Sequence, residues 1–500
     1  MVAIAQEDVL MGLVEAFQHT SHHHPVDFVQ ALKRAWANET HPPAQAALGQ
    51  LLANSRLAAE GRRPVCQDTG VGQVFVRMGV EVHLYRRDGA APWGLQRVAN
   101  EAVRLAYTDP TNPLRATMVQ DPLGTRSNTR DNTPAVVHCE LVEGDRLEIL
   151  VVAKGGGGDV KARFATLTPT DSVADWVIDQ LPGMGAGWCP PGVLGIGVGG
   201  TPEQAMLLAK LALFDPIDIH ELQSRGAFNV EDALRLEVHT RANALGIGVQ
   251  GLGGQHAVLD VKVRTAPCHA ATLPVALVPN CAAPRYTRFT LDGSGPVQWP
   301  EPSAAVWADV PLEPHMPEAV EVQLDTLTPE EVAHWRVGQT LLLSGTVLTA
   351  RDAAHKRLLE LLAQGQPLPV DLRNRVVYYV GPVDRVAGEA VGPAGPTTAN
   401  RMDPYVEPLL AQTGLLAMVG KAERGPAATA AIQRHRRAYL TATGGAAYLL
   451  SKAIRASTVL AFPDLGMEAI HGFVLDRFPV TVAIDAHGGV VHKVVPLKTR

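Results

Sequence analysis

Long hydrophobic runs are missing from this 500-residue chain. No stretch approaches the ~20 unbroken apolar residues of a membrane helix, so no helical membrane span is expected. A positive excess is missing too. The 44 Lys and Arg against 50 Asp and Glu give a net charge of -6, which leaves no general electrostatic pull toward nucleic acid. Aromatic residues are scarce at 5%, so the core must be mostly aliphatic. Cysteines number only five, an odd count without a single C-x-x-C pair. That excludes a zinc ribbon or finger and the ferredoxin spacings, makes a poor disulfide framework and fits a reducing compartment. Met1 to Leu13 carries Glu7 and Asp8 but no basic residue, the pattern of neither a secretory signal nor a transit peptide. The expectation is a soluble, cytoplasmic protein with neither a membrane nor a nucleic acid as partner.

What is present is ample apolar material (46%) with a charged fraction of 19%, enough for two to four domains at ~100–200 residues each and unlike a disordered chain. Glu7–Phe17, Val26–Trp36 and Pro42–Ala59 read as helices from apolar residues at three- and four-residue spacing and from Ala/Leu richness. Between the first two, His22-His23-His24 beside Pro25 reads as a surface loop. After Gly61 the texture becomes strand-like, at 74–78, 80–82, 135–141 and 147–152, broken by glycine turns. Six prolines between Pro296 and Pro317 read as a connector or surface wrap. Beyond it, strands (341–343, 376–380, 458–462, 480–484) alternate with helices (352–363, 446–454). The fold class expected is α/β (α+β). A large N-terminal domain of helices and mixed sheet spans 1–295, a Pro-rich connector 296–318 and a smaller α/β domain 319–500.

Two glycine runs invite a nucleotide reading and fail it. Gly246-Ile-Gly-Val-Gln-Gly251 is followed by Leu252-Gly253-Gly254, a poor helix start, and its next acid, Asp260, comes too early for a ribose ligand. Lys154-Gly-Gly-Gly-Gly158 has its lysine on the wrong side of the glycines for a P-loop, although a glycine run exposes backbone N–H groups to an anion. The cysteines sort by context. Cys139 lies in a strand-like run and reads as a buried small hydrophobe; Cys268 also reads as structural. Cys66, Cys189 and Cys281 stand in Pro- and Gly-marked turns at the ends of apolar segments. Taken alone they are either ordinary turn residues or three thiolates that hold a [4Fe–4S] cluster by three corners, leaving one iron open to substrate.

Longer strings separate these readings. Cys66-Gln-Asp-Thr-Gly, Lys154-Gly-Gly-Gly, Gly185-Ala-Gly-Trp-Cys189-Pro-Pro, Asn243-Ala-Leu-Gly-Ile-Gly-Val-Gln-Gly-Leu-Gly-Gly, His269-Ala-Ala-Thr-Leu-Pro, Pro279-Asn-Cys281-Ala-Ala, Gly345-Thr-Val-Leu-Thr-Ala-Arg351-Asp-Ala-Ala-His355 and Gly395-Pro-Thr-Thr-Ala-Asn-Arg401-Met-Asp occur in that order. Together they resemble the class I, iron–sulfur fumarate hydratases.

The resemblance implies a homodimeric hydro-lyase of the tricarboxylic acid cycle that interconverts fumarate and (S)-malate, with tartrate or mesaconate as alternative substrates. It implies Cys66, Cys189 and Cys281 as ligands of a [4Fe–4S] cluster. It implies Gln67, Arg115, Gly157, His269, Arg351, Arg401 and Lys421 as contacts of a small dicarboxylate, a role in which guanidinium forks match carboxylates. It places Thr397 as the base for the carbon-bound proton, with Asp68 beside it to take the hydroxyl proton. Two departures stand near these positions: Asn400 where Gly is usual, and Pro404 where Ser is common.

Overall fold

The structure is a computed structural model and describes residues 1–299, 304–314, 316 and 318–492. The three expected helices form as Gln6–His22, Val26–Asn38 and Pro42–Gly61. In the second, Phe28, Val29, Ala31, Leu32 and Ala35 are buried, the stripe of a helix with one face on a core. The third stops where Arg62 turns left-handed at φ 48°, and that turn aims the chain at Cys66.

Two four-stranded sheets follow. In the first, Tyr286–Leu291, Leu147–Lys154, Val71–Gly79 and Val136–Val142 lie side by side in that order. In the second the order is Arg163–Leu167, Leu273–Asn280, Gly192–Gly199 and Val258–Ala266. Both are mixed: Gly192–Gly199 runs parallel to Val258–Ala266 and antiparallel to Leu273–Asn280, with Val193 opposite Asn280. That register is what lets Cys189 and Cys281 meet.

Residues 320–484 build a seven-stranded sheet. Four parallel strands, Thr340–Thr349, Val376–Tyr378, Ala417–Gly420 and Ala438–Thr441, alternate with the helices Asp352–Ala363, Asp403–Thr413 and Pro426–Arg434, as expected of an α/β unit. The long strand Ile470–Ile484 pairs antiparallel with both the first and the last of the four, so five strands close into a ring. Alternate residues serve opposite faces: Leu341, Leu343 and Tyr378 enter one core, while Leu348, Val377 and Tyr379 enter another beneath the helices.

Buried polar side chains stitch this sheet to the N-terminal part. Arg63 reaches Glu389 at 2.9 Å and the Asp384 carbonyl at 2.7 Å. The Gln250 amide donates to the Pro190 and Gly444 carbonyls and accepts from the Gly444 N–H.

Four expectations need correction or completion. The His22–His24 segment is no surface loop. His22 ends a helix, and His22 and His24 are buried; His19 stacks on His23 at 4.6 Å and on Trp299 at 5.6 Å. Flat neutral rings serve here as packing material, and Pro25 merely starts the next helix. Cys139 is exposed, not buried, because its strand is a sheet edge lining an open groove of about 960 Å³; Cys268 is exposed as well. The 246–251 glycines follow a helix, Val230–Ala244, not a strand, and Gly248 must be glycine because the Gly253 carbonyl occupies the space of a side chain. Of the Pro-rich passage, Pro300, Pro302 and Pro317 lie outside the described residues; in the rest, Trp307 and Val310 pack against the first helices.

Candidate active site

Sequence-distant turns deliver the three thiols to one place. Cys66 lies on a loop held from both sides: the Val65 N–H donates to the Ser21 carbonyl at 2.9 Å, and the Val65 carbonyl accepts from Ala447 at 3.1 Å. Cys189 occupies a tight turn at φ 59°, and its carbonyl accepts from the Ala282 N–H at 3.0 Å. Cys281 follows the strand end at Asn280. Cys66 and Cys281 pack into one apolar group with Ala58, Ala283 and Tyr448. Burial pushes Cys66 up and Cys189 up to about 11, with Lys421 opposing both and Cys281 adding to both. Among the described residues no three His, Cys, Asp or Glu side chains are spaced for a single metal ion.

Lys421 is the cation at the centre. Its Nζ lies 2.9 Å from Cys189 Sγ and 4.0 Å from where a Gly157 side chain would begin. Burial works against its charge, but Cys189, Cys66 and Asp68 outweigh burial and hold it above the ordinary lysine range. Asp68 accepts from the Gly156 N–H at 2.9 Å. Burial pushes its carboxyl up, yet Arg115, Arg285 and Lys421 prevail and keep it below the usual range. Gln67 donates to the Pro396 carbonyl at 3.1 Å, so Asp68 and Thr397 flank one hydrogen bond between the two halves. Thr397 is buried, and its carbonyl accepts from the Lys421 N–H at 3.1 Å.

The arginines gather beside this pocket. Arg115 donates to the Gly381 carbonyl at 2.7 Å, and Arg351 Nη1 packs on the same glycine. Arg351 is partly buried, its Nε has no hydrogen-bond partner, and burial, then the like charge of Arg115, lower it to about 10. Arg401 is half-exposed and donates to Asp352 at 2.5 Å. Arg351 also lies 3.5 Å from Glu468 and 3.8 Å from Asp352, so three guanidinium groups share two carboxylates, an excess of positive charge suited to receiving a further carboxylate.

His269 does not join them. It is exposed in the turn before Leu273–Asn280, so the whole strand separates it from Cys281, on the order of 25 Å at ~3.3 Å per residue. Sequence reasoning also missed Arg285, a buried guanidinium whose charge faces Cys66, Cys281 and Asp68. The available signal was a charged residue directly after the apolar Cys281-Ala-Ala-Pro string.

Fold and site together describe an enzyme of small organic acids, and the family models agree on a hydro-lyase. The model described as Fumarate hydratase (Fumerase) matches residues 12–290, and the one described as Fumarase C-terminus matches 293–495. The anaerobic class I fumarate hydratase of Escherichia coli K12 is 31% identical over 88% of this chain and 81% of its own length. Fumarate hydratase 2 of Leishmania major is 31% identical over 95% and 84%. A putative L(+)-tartrate dehydratase subunit alpha of Methanocaldococcus jannaschii is 33% identical over 56% of this chain and 97% of its own. The chain belongs to the class I fumarate hydratase family.

Proposed function

We propose that this protein reversibly hydrates fumarate to (S)-malate, with a [4Fe–4S] cluster held by Cys66, Cys189 and Cys281. One observation carries the proposal: three free thiols from distant turns share a buried pocket with an ionised aspartate and buried cations. The residues fit such a group. Soft thiolates suit iron–sulfur chemistry, and the buried positive charge of Arg285 and Lys421 answers the negative charge three thiolates would bring. When bound, the cluster would supply an iron without a thiolate as Lewis acid for the malate hydroxyl and its neighbouring carboxylate.

The rest falls to the chain's own side chains. Arg115, Arg351 and Arg401 fix the far carboxylate, while Gln67, Gly157 and Lys421 line the near side. In the dehydration direction the Thr397 hydroxyl oxygen takes the proton from the carbon next to the far carboxylate as its own proton passes to Asp68. Asp68 is ionised in these surroundings, so its oxygens are open to receive that proton. Thr397 and Asp68 come from opposite halves, so the pair exists only when these are closed on each other, which also excludes water. His269 points to the proposed homodimer: a residue that cannot reach its own pocket can serve the pocket of a second copy. Five free thiols support a reducing compartment such as the cytoplasm, and among the described residues no helix is long and apolar enough to cross a membrane.

The test is iron and sulfide analysis of anaerobically reconstituted protein, with hydration rates on the same sample for fumarate, mesaconate and the tartrate-forming direction. Iron and sulfide near four per chain, with fumarate preferred, are expected from the cluster formula. Turnover without iron would overturn the cofactor assignment, and faster tartrate turnover the substrate assignment.

A further inference from the structure

Arg285 is buried at 3% exposure, yet among the described residues it forms no ion pair. Removing a guanidinium from water is costly without an anion to match it, and Asp68, the carboxylate its charge faces, stands outside ion-pair distance, so the site has room for a further anionic partner. Its contacts indicate where that partner belongs. Nε donates to the Ala153 carbonyl at 3.0 Å and Nη1 to the Ala283 carbonyl at 3.0 Å. The Arg285 carbonyl in turn accepts from the Ala153 N–H at 2.9 Å. One side chain therefore ties the strand end that leads into the glycine run at 155–158 to the backbone two residues past Cys281. The remaining nitrogen, Nη2, lies 3.1 Å from the point where a Gly155 side chain would begin, and Asp68 Oδ2 lies 3.1 Å from the same point. The two are thus no farther apart than twice that distance, with only a glycine between them.

We infer that Arg285 is a positioning residue of the thiol pocket, fixing the Cys281 turn against the glycine loop and supplying the buried positive charge that an anionic group held by the three thiols requires. This goes beyond the ligand and substrate contacts above and rests on the proposed cluster. A lysine at this position keeps the charge but, as a point donor, cannot span the two carbonyls as a planar fork does; a methionine loses both. The two functions of the side chain therefore separate in Arg285→Lys and Arg285→Met.

Both variants are reconstituted anaerobically beside the parent chain and read three ways. Against a chelator, iron leaves both variants about tenfold faster, the usual cost of removing a group that orients a ligand. The cluster's midpoint potential shifts downward in Arg285→Met, because a lost positive charge disfavours the reduced state, and returns toward the parent value in Arg285→Lys. In the metal-free proteins, alkylation of Cys281 accelerates several-fold relative to the exposed Cys139 in both variants, as the turn is released. Parent-like iron retention and Cys281 alkylation would overturn the positioning role. Equal potentials in the lysine and methionine variants would overturn the charge role. If the parent chain itself takes up no iron and sulfide, the cluster proposal fails instead, and the alkylation comparison still decides whether Arg285 holds the turn. Circular dichroism of the metal-free variants identifies a fold lost altogether, in which case Arg285→Lys alone carries the comparison.

Discussion

The two halves of the molecule bring different chemistry to one pocket. The N-terminal half supplies the thiols, Asp68 and Arg285 from turns at the ends of two mixed sheets. The seven-stranded half supplies Lys421, Thr397, Arg351 and Arg401 from loops after parallel strands. Soft ligands thus come from a single framework and are positioned by its own strand register, as Val193 opposite Asn280 does for Cys189 and Cys281. The groups that grip a diacid are shared between the halves. A prosthetic group needs permanent ligands, whereas a substrate needs a grip that can form and release.

The strongest way to break this contrast is Cys189→Ser. It should abolish iron retention and hydration together, while Cys139→Ser, on the exposed sheet edge, should change neither; iron analysis with the hydration assay decides. Next in size is Arg63→Met, which leaves the buried Glu389 carboxylate unpaired across the seam. Urea unfolding should show a loss of about 3–5 kcal/mol, and a near-neutral result would mean that the halves do not depend on this link. Arg351→Met sharpens the division of labour. Loss of charge-assisted hydrogen bonds should lower kcat/KM for fumarate about 10- to 100-fold, mainly through KM. Iron content should stay at the parent level, and a parallel fall in iron would erase the distinction between the halves.

The smallest effect concerns acid. Burial, with neighbouring positive charge, lowers His22 to about 2, His23 to about 4 and His24 to about 3. The groups that face them, His19, Arg62 and Arg285, add positive charge, not negative. The folded protein refuses protons that the unfolded chain accepts below its histidine value of ~6.5, so stability is present above that pH and is lost as pH falls below it. Each group contributes up to about 1.4 kcal/mol per pH unit there. Tm should drop between pH 7 and 5, and His24→Gln should flatten that slope; a flat profile for the parent chain would count against it. The other half holds His355, lowered to about 4 by burial, with His471 and His492 also lowered by burial, whereas the N-terminal half adds His19, His138, His220 and His239 to the three above, so acid should loosen the N-terminal half first.

Much of the frame was legible because it depends on local pattern. Apolar periodicity marked the first three helices and Asp352–Ala363, and turn residues marked Cys66, Cys189 and Cys281. What stayed hidden depends on contacts between distant segments. Cys139 and its neighbours alternate like any half-buried strand, and only sheet order reveals that nothing covers that edge. The histidines looked polar because a sequence does not show His23 stacking on His19, which is itself stacked on Trp299. Arg285 resembles a surface charge until Ala153 and Ala283 close around it. His269 sits in a matching string, yet strand length, invisible in the motif itself, carries it to the wrong end of the sheet.

The Gln250 amide has a consequence for traffic. With three hydrogen bonds it rivets the Cys189 turn to the Gly444 turn, so parting the halves along that margin would strand several buried dipoles at once. Near the arginines the halves are joined by the Arg115 hydrogen bond to the Gly381 carbonyl, and the half-exposed Arg401–Asp352 ion pair lies wholly within the seven-stranded half. With fewer buried dipoles to strand there, a small acid should come and go by the arginine side, the lip of a purse whose clasp is Gln250.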